Sequence, residues 1–386
     1  MILTYLCPAL MDWLIFFAAF AVFYRAGEFR LPTGQTVGLA VWLQVAYMVT
    51  CPLAGRVLNR KTAKPLVIAA TIGCTLTGVL ALVADTFHFM LVVLSTMGIH
   101  AALFFNAFQT YMRSEAPPGG LTPSVAFYTL AWSAGAAGGQ LLSGMLYTLG
   151  PRVLVPANLL VGVVVLVLLL RKTSPETRPS AEEHIEEGSP GARPVNPAYV
   201  LVGWIMIFTA MFVQRPILTF VPATSSAGGI TPAAAGWLLF LHMLVQALFG
   251  FAMMYGRDWL YRRTPFLLIQ GGGTVVLGIL ACVRSYGMLM VGLSLLGVYA
   301  GFVYFSAVYY AGNTGQRSRN VGINELLVGL GSVAGLLACE VWWRWFHDPR
   351  GIYGVAALVL ALSTGGQVLV VSSNRAMPSG MSGRDL

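Results

Sequence analysis

The sequence predicts an all-α membrane protein in which twelve transmembrane helices form two pseudo-symmetric six-helix bundles. Three observations carry this expectation. Of 386 residues only 10% are charged while 57% are hydrophobic, and the mean hydropathy is +0.75, against roughly 25% charge in soluble domains. The apolar stretches recur at lengths of about 18 to 25 residues, enough to cross a hydrocarbon core of about 30 Å as helices. They are continuous, not alternating, which excludes a closed β-barrel. Finally, features of the first half return in the second at a nearly constant spacing.

Taken in order, the apolar runs between polar breaks predict helices over 4–25, 35–57, 65–84, 88–112, 122–149 and 153–171, then 198–221, 232–255, 265–283, 286–311, 320–345 and 351–373. The first run begins without a basic leader segment and is expected to be retained as a helix. Between the sixth and seventh helices lies RKTSPETRPSAEEHIEEGSPGARPVNP, rich in Pro, Ser and Glu and lacking any hydrophobic period, which reads as a mobile linker. The expected organisation is a bundle over 1–171, a cytoplasmic linker over 172–197, a second bundle over 198–375 and a cytoplasmic tail over 376–386.

With both termini in the cytoplasm, sixteen of the 23 Lys and Arg residues fall in inside loops or the linker and tail, the asymmetry of a cytoplasmic (inner) membrane protein. The formal net charge of +9 is therefore a topology signal. It forms no basic stripe, so nucleic acid is not an expected partner. The five cysteines (Cys7, Cys51, Cys74, Cys282 and Cys339) fall in apolar spans without metal-ligand spacing and are expected to pack as small apolar residues, with no metal and no disulfide.

The repeat aligns Gly55 with Gly256 and the pair Arg60, Lys61 with Arg262, Arg263. It aligns Gly135 with Gly331 and Gly139 with Gly335, and places Arg25 opposite Arg215 and Pro32 opposite Pro222. Two parallel six-helix repeats related by an axis along the membrane normal follow.

Two local segments resemble the major facilitator superfamily. One is GRVLNRKTAKP, starting at Gly55, similar to that family's loop of Gly, three residues, Asp, a basic residue, any residue, Gly and two basic residues; Asn59 stands at the Asp and Thr62 at the second Gly. The other is GAAGGQLLSG, from Gly135 through Gly139 to Gly144, resembling a fifth-helix pattern associated with antiporters, with Gln140 in place of its Pro. Small residues at four-residue spacing also serve close helix packing whatever the mechanism. The resemblance spans nearly the whole chain. It implies a transporter with one central site, opened alternately to each side as the halves rock.

Ionisable groups within hydrocarbon cost about 2.5 to 3.5 kcal/mol on insertion scales and are functional candidates. Arg215, beside Gln214 and before Pro216, sits well inside the seventh helix. With Arg25 it would form a basic pair at the outer mouth, suited to a carboxylate or phosphate; alternatively both snorkel to the interface. Glu340, in the outer half of the eleventh helix, would pair with either arginine as a gate or as a static bridge, or else reach interfacial water. Asp12 is the first candidate for proton coupling and Glu340 the second; the other reading of Asp12 is an acid near the start of its helix. Glu325 reads as a first-turn acid near the cytoplasm. His100, Asn106, Gln140, His242, Gln246, Tyr299 and Tyr304, with Gln44, are candidates for a polar cavity lining.

No nucleotide-binding loop, HExxH or nucleophile–base arrangement is present, so neither an ATP-driven pump nor an enzyme is expected, and no cofactor. The expected function is secondary active transport of a small organic solute, amphipathic or weakly anionic, by a monomer in the lipid bilayer, coupled to protons and with export in view. The alternatives are a facilitator or uptake symporter and, of another class, a transporter-like sensor or scaffold.

Overall fold

The structure is a computed structural model that describes residues 2–112, 120–171, 198–256, 259–313, 317–348 and 350–373. Twelve α-helices are found among them, and no strand: α1 (Ile2–Glu28), α2 (Thr33–Val57), α3 (Arg60–Val83), α4 (Phe87–Met112), α5 (Leu121–Leu146), α6 (Pro151–Arg171), α7 (Ala198–Ala227), α8 (Pro232–Ala252), α9 (Arg263–Cys282), α10 (Tyr286–Gly312), α11 (Arg317–Phe346) and α12 (Gly351–Ser373). Eleven are long and apolar enough to cross a membrane. The exception is α5, whose 26 residues suffice in length but are diluted by Gly, Ser, Thr and Gln. It can afford that dilution because α1, α8 and α10 enclose it. The expected linker over 172–197 and the tail over 376–386 lie outside the described residues.

Local chemistry moves several boundaries from their predicted positions. α3 starts at Arg60, five residues early, because Asn59 caps it: its Oδ1 accepts the Lys61 and Thr62 amides at 2.9 and 3.0 Å, and the Thr62 hydroxyl accepts the Asn59 amide at 2.9 Å. This capping box occupies the two positions where the loop departs from the family pattern. α7 runs on to Ala227 through both Pro216 and Pro222. Each proline withholds one amide from the helix ladder, and the carbonyl freed by Pro216 is that of Phe212, against which Gly335 of α11 packs.

The end of the molecule where α1 and α7 begin is called the near end, and the opposite end the far end. α6, α9 and α12 lie at the periphery, with fewer than a third of the residues in their apolar stretches buried. The halves meet through α5 with α8 and α10, α1 with α7, and α2 with α11.

Glycine packing fixes the internal repeat. A Cβ on Gly135 would strike the Ala9 carbonyl, and one on Gly331 the Phe208 carbonyl; Gly139 stands likewise against Trp13 and Gly335 against Phe212. The α5 and α11 glycines keep the predicted correspondence, and their partners place α7 199 residues after α1. Gly98 on Leu43 and Gly297 on His242 give the same 199 for α4 with α10 and α2 with α8. The expected match of Arg25 with Arg215, 190 residues apart, is therefore corrected. The structural counterpart of Arg215 is Phe16.

Candidate functional site

A cavity lies between the halves, with about 140 Å³ open to the centres of water-sized spheres. Its walls come from equivalent positions of the two repeats. Tyr128, Trp132 and Gln140 of α5 stand opposite Asn324, Val328 and Leu336 of α11; Phe16, Ala19 and Phe20 of α1 opposite Arg215, Leu218 and Thr219 of α7; and Phe105 of α4 opposite Tyr304 of α10. α2 adds Gln44 and Tyr47, α1 adds Asp12, and α11 adds Glu325.

Several polar atoms on this wall have no hydrogen-bond partner. These are Asp12 Oδ2, Trp132 Nε1, both amide atoms of Gln140, Arg215 Nε and Asn324 Oδ1. Asp12, Gln140 and Asn324 are only 7%, 2% and 3% exposed. Buried polar groups are normally satisfied, and these unsatisfied atoms converge on one cavity wall. The Arg215 guanidinium lies 5.8 Å from the Phe16 ring centroid, a cation–π contact with its own repeat counterpart. Asp12 and Arg215 feel each other's charge without forming an ion pair within 4.0 Å. Each offsets part of the other's burial cost and both stay available.

Of the residues predicted for the cavity, Asp12, Arg215, Gln140, Tyr304 and Gln44 line it. Arg25 does not. Its guanidinium donates to the carbonyls of Ala84 at 2.6 Å, Leu82 at 2.8 Å and Ala81 at 3.5 Å, closing the C-terminus of α3, where backbone carbonyls lack helical partners and the dipole favours a cation. Glu340 pairs with Arg344 one turn along α11, and not with Arg215 or Arg25 in either of the expected ways.

Gln214, His242 and Gln246 form a separate buried network behind the wall. Gln214 donates to Gln246 and approaches His242 Nε2 at 3.1 Å, His242 Nδ1 lies 2.9 Å from the Leu293 carbonyl, and Gln246 donates across the halves to Ser133 at 3.0 Å. His100 bonds the Thr96 carbonyl at 2.9 Å and packs on Gly73 of α3; Asn106 bonds the Ala102 carbonyl at 2.8 Å and Cys51 at 3.3 Å. Tyr299 is enclosed against Gly273 of α9.

The sequence reading missed Glu325, Asn324, Tyr47, Tyr128 and Trp132. Glu325 is not in a first turn, because α11 begins at Arg317 and carries it eight residues in. Spacing held the missing signal: Tyr128 and Asn324 are related by the same 196 residues as Gly135 and Gly331.

The chain matches the Major Facilitator Superfamily over residues 2–228, more than half its length. The chain belongs to the Major Facilitator Superfamily. No curated protein matches it. Membership makes it a multi-pass membrane protein of a transporter family, and the cavity lies where the two halves of the Major Facilitator Superfamily fold meet.

At the far end of this transporter three crossings join its halves. At α1–α7, a Cβ on Gly27 would strike the Ala223 carbonyl, and Tyr24 donates to the Ile230 carbonyl at 2.8 Å; Gly229, at a φ of 74°, turns the chain so that this carbonyl faces α1. At α2–α11, Gly34 abuts the Glu340–Arg344 bridge, and at α5–α8, Gly144 abuts Pro232 and Gly236. Toward the near end α5 still meets the other half, with Phe127 and Phe251 centroids 5.2 Å apart. The family's loop lies at the near end between α2 and α3, with open space around Gly55 and Lys61 exposed. The Arg60 side chain lies outside the described residues.

Proposed function

We propose that this protein is a secondary active transporter that moves a small amphipathic solute with a weakly anionic group by alternating access, coupled to protons. In this reading it sits in the cytoplasmic membrane as a monomer, with termini and linker on the cytoplasmic side. The observation that carries the reading is the cavity between the halves, with Asp12 and Arg215 on facing elements and unpaired.

Arg215 supplies the anion site, a planar fork held against Phe16. Asp12 supplies the proton site. The titratable and charged groups within its electrostatic reach are Arg215 from α7, Tyr47 from α2, Cys74 from α3 and Tyr304 from α10, so Arg215 is its cationic neighbour. When Asp12 takes a proton, the charge of Arg215 is left unopposed and attracts the solute's anionic group. Proton and solute thus strengthen each other's binding, and linkage makes the effect mutual. Joint loading under an inward proton gradient drives uptake, so symport is the favoured direction. Export is the second reading. It rests on the resemblance of the segment Gly135 to Gly144, whose glycines have packing roles against α1 and α8.

The test takes the solute that most stabilises the purified protein in a thermal-shift panel of organic acids and amphiphiles, and follows its flux into liposomes. Flux is expected to accelerate when the pH gradient is imposed, and Asp12→Asn to abolish that acceleration while leaving gradient-free counterflow. Arg215→Ala is expected to weaken binding about tenfold or more. Flux indifferent to the gradient in the wild type would remove the coupling role of Asp12.

A further inference from the structure

Glu325 is a half-buried carboxylate on the cavity wall that the coupling scheme does not use. Asp12 lies within electrostatic reach of Arg215, whereas no cation among the described residues acts on Glu325 in the same way. Its surroundings are of a different kind. Tyr47, Tyr128 and Tyr304 line the same cavity from α2, α5 and α10, and Tyr47 and Tyr304 lie within electrostatic reach of the Glu325 carboxylate. The adjacent Asn324, 3% exposed, presents an Oδ1 without a partner. A carboxylate and an unsatisfied carbonyl oxygen both accept hydrogen bonds, and tyrosine faces attract cations. This end of the cavity is built for a donor that carries positive charge.

The register of α7 and α11 fixes how far this subsite lies from Arg215. Gly331 stands at Phe208 and Gly335 at Phe212, which sets Glu325 level with Val202, thirteen residues nearer the near end than Arg215. That is about 20 Å along the helix axes, shortened by two long side chains that reach into one cavity. By the same register Ile15 and Val328 lie between these two levels and give the wall an apolar stretch there.

We infer that the solute is an elongated zwitterionic amphiphile, its cationic nitrogen seated at Glu325 and Asn324, its anionic group at Arg215 and an apolar middle between them. This rests on the proposed role of Arg215 and adds Glu325 as the residue that selects the cationic end.

Straight-chain ω-amino acids test it, because chain length and end group vary independently. Binding to the full-length protein in nanodiscs is measured by tryptophan fluorescence, Trp132 being on the cavity wall, or by calorimetry. The wild type is expected to bind ω-amino acids of about eight to twelve carbons at least tenfold more tightly than the carboxylate or amine of equal length, with α-amino acids far weaker. Glu325→Gln is expected to reduce the ω-amino acid to the affinity of the plain carboxylate while leaving carboxylate binding unchanged, which also shows that the variant is folded. Arg215→Gln is expected to do the converse, leaving amine binding intact.

Undiminished preference for the ω-amino acid in Glu325→Gln would overturn the assignment. So would equal affinity for α- and ω-amino acids, or no binding of any ammonium compound to the wild type. Length-dependent binding without flux in liposomes would refute transport and leave the Glu325 subsite standing, whereas gradient-driven flux of a carboxylate with no gain from an added ammonium would refute the subsite alone.

Discussion

At the scale of single residues, an intramembrane charge serves different ends according to what its side chain reaches. Arg25 and Arg215 read alike in the sequence, yet the first spends its donors on the carbonyls of Ala81, Leu82 and Ala84, while the second keeps Nε free on the cavity wall. Arg25→Lys replaces a forked donor by a single ammonium and is expected to lower stability by about 1.5 to 3 kcal/mol, the range for hydrogen bonds to a charged group. It leaves ligand affinity at the wild-type value. Thermal unfolding in detergent with a parallel binding titration checks both halves of that statement; a loss of affinity at unchanged stability would return Arg25 to the recognition surface. That difference was not legible in the sequence, because it is decided by where the end of α3 lies, 56 or more residues away in the chain. Arg215 and Asp12 were legible, since a charge inside an apolar run stands out whatever it faces. Glu325 was hidden by a helix start drawn three residues late.

At the scale of elements, glycine separates packing contacts from open surface. Gly139 meets the backbone of Trp13 and Phe17, and Gly335 that of Phe212, whereas Gly278 of α9 has nothing within 4 Å of where its Cβ would be. Gly139→Ala and Gly335→Ala are expected to push their helices apart and cost about 1 to 3 kcal/mol, while Gly278→Ala gains about 0.5 to 1 kcal/mol from the unfolded chain's lost freedom. Thermal unfolding of the three variants against the wild type checks the sign of each change. Equal destabilisation by all three would mean that the glycines act through helix flexibility and not through contact. The same glycines explain why the α5–α11 repeat could be read directly: close approach of two backbones demands small residues at fixed spacing, and that requirement is written in the residue types. The α1–α7 register is not written that way, since the partners are carbonyls of Ala9, Trp13, Phe208 and Phe212, and a carbonyl looks the same on any residue. Matching Arg25 to Arg215 followed side-chain chemistry where the repeat follows backbone geometry. Once the register is right, the chemistry proves asymmetric. Phe16 faces Arg215, Phe20 faces Thr219, and Leu336 faces Gln140, so one repeat supplies a polar group where the other supplies an apolar wall.

At the scale of the whole molecule, the halves meet at the far end through contacts that depend on small residues at Gly27, Gly34 and Gly144. Each leaves room for the opposite half to approach, and none touches the cavity lining. In the alternating access proposed above these crossings part while those toward the near end close, so their strength would set the balance between the two states. Gly144 is the cleanest lever, because a side chain there would meet the Pro232 carbonyl and Gly236 backbone of α8, which can yield only by moving the half. Gly144→Leu is therefore expected to wedge α5 from α8 and populate the state open at the far end. A cysteine placed at Leu218 on the cavity wall, with Cys51 and Cys282 replaced by Ser, reports this through a membrane-impermeant maleimide added from the far-end side. Labelling should rise roughly tenfold in Gly144→Leu, the consequence of about 1.4 kcal/mol between the states, and an excess of the bound solute should suppress it. If the wedge leaves labelling unchanged while the protein stays folded and binds solute, the α5–α8 crossing is a fixed seam and the parting of the halves must be carried by α1–α7 and α2–α11 alone.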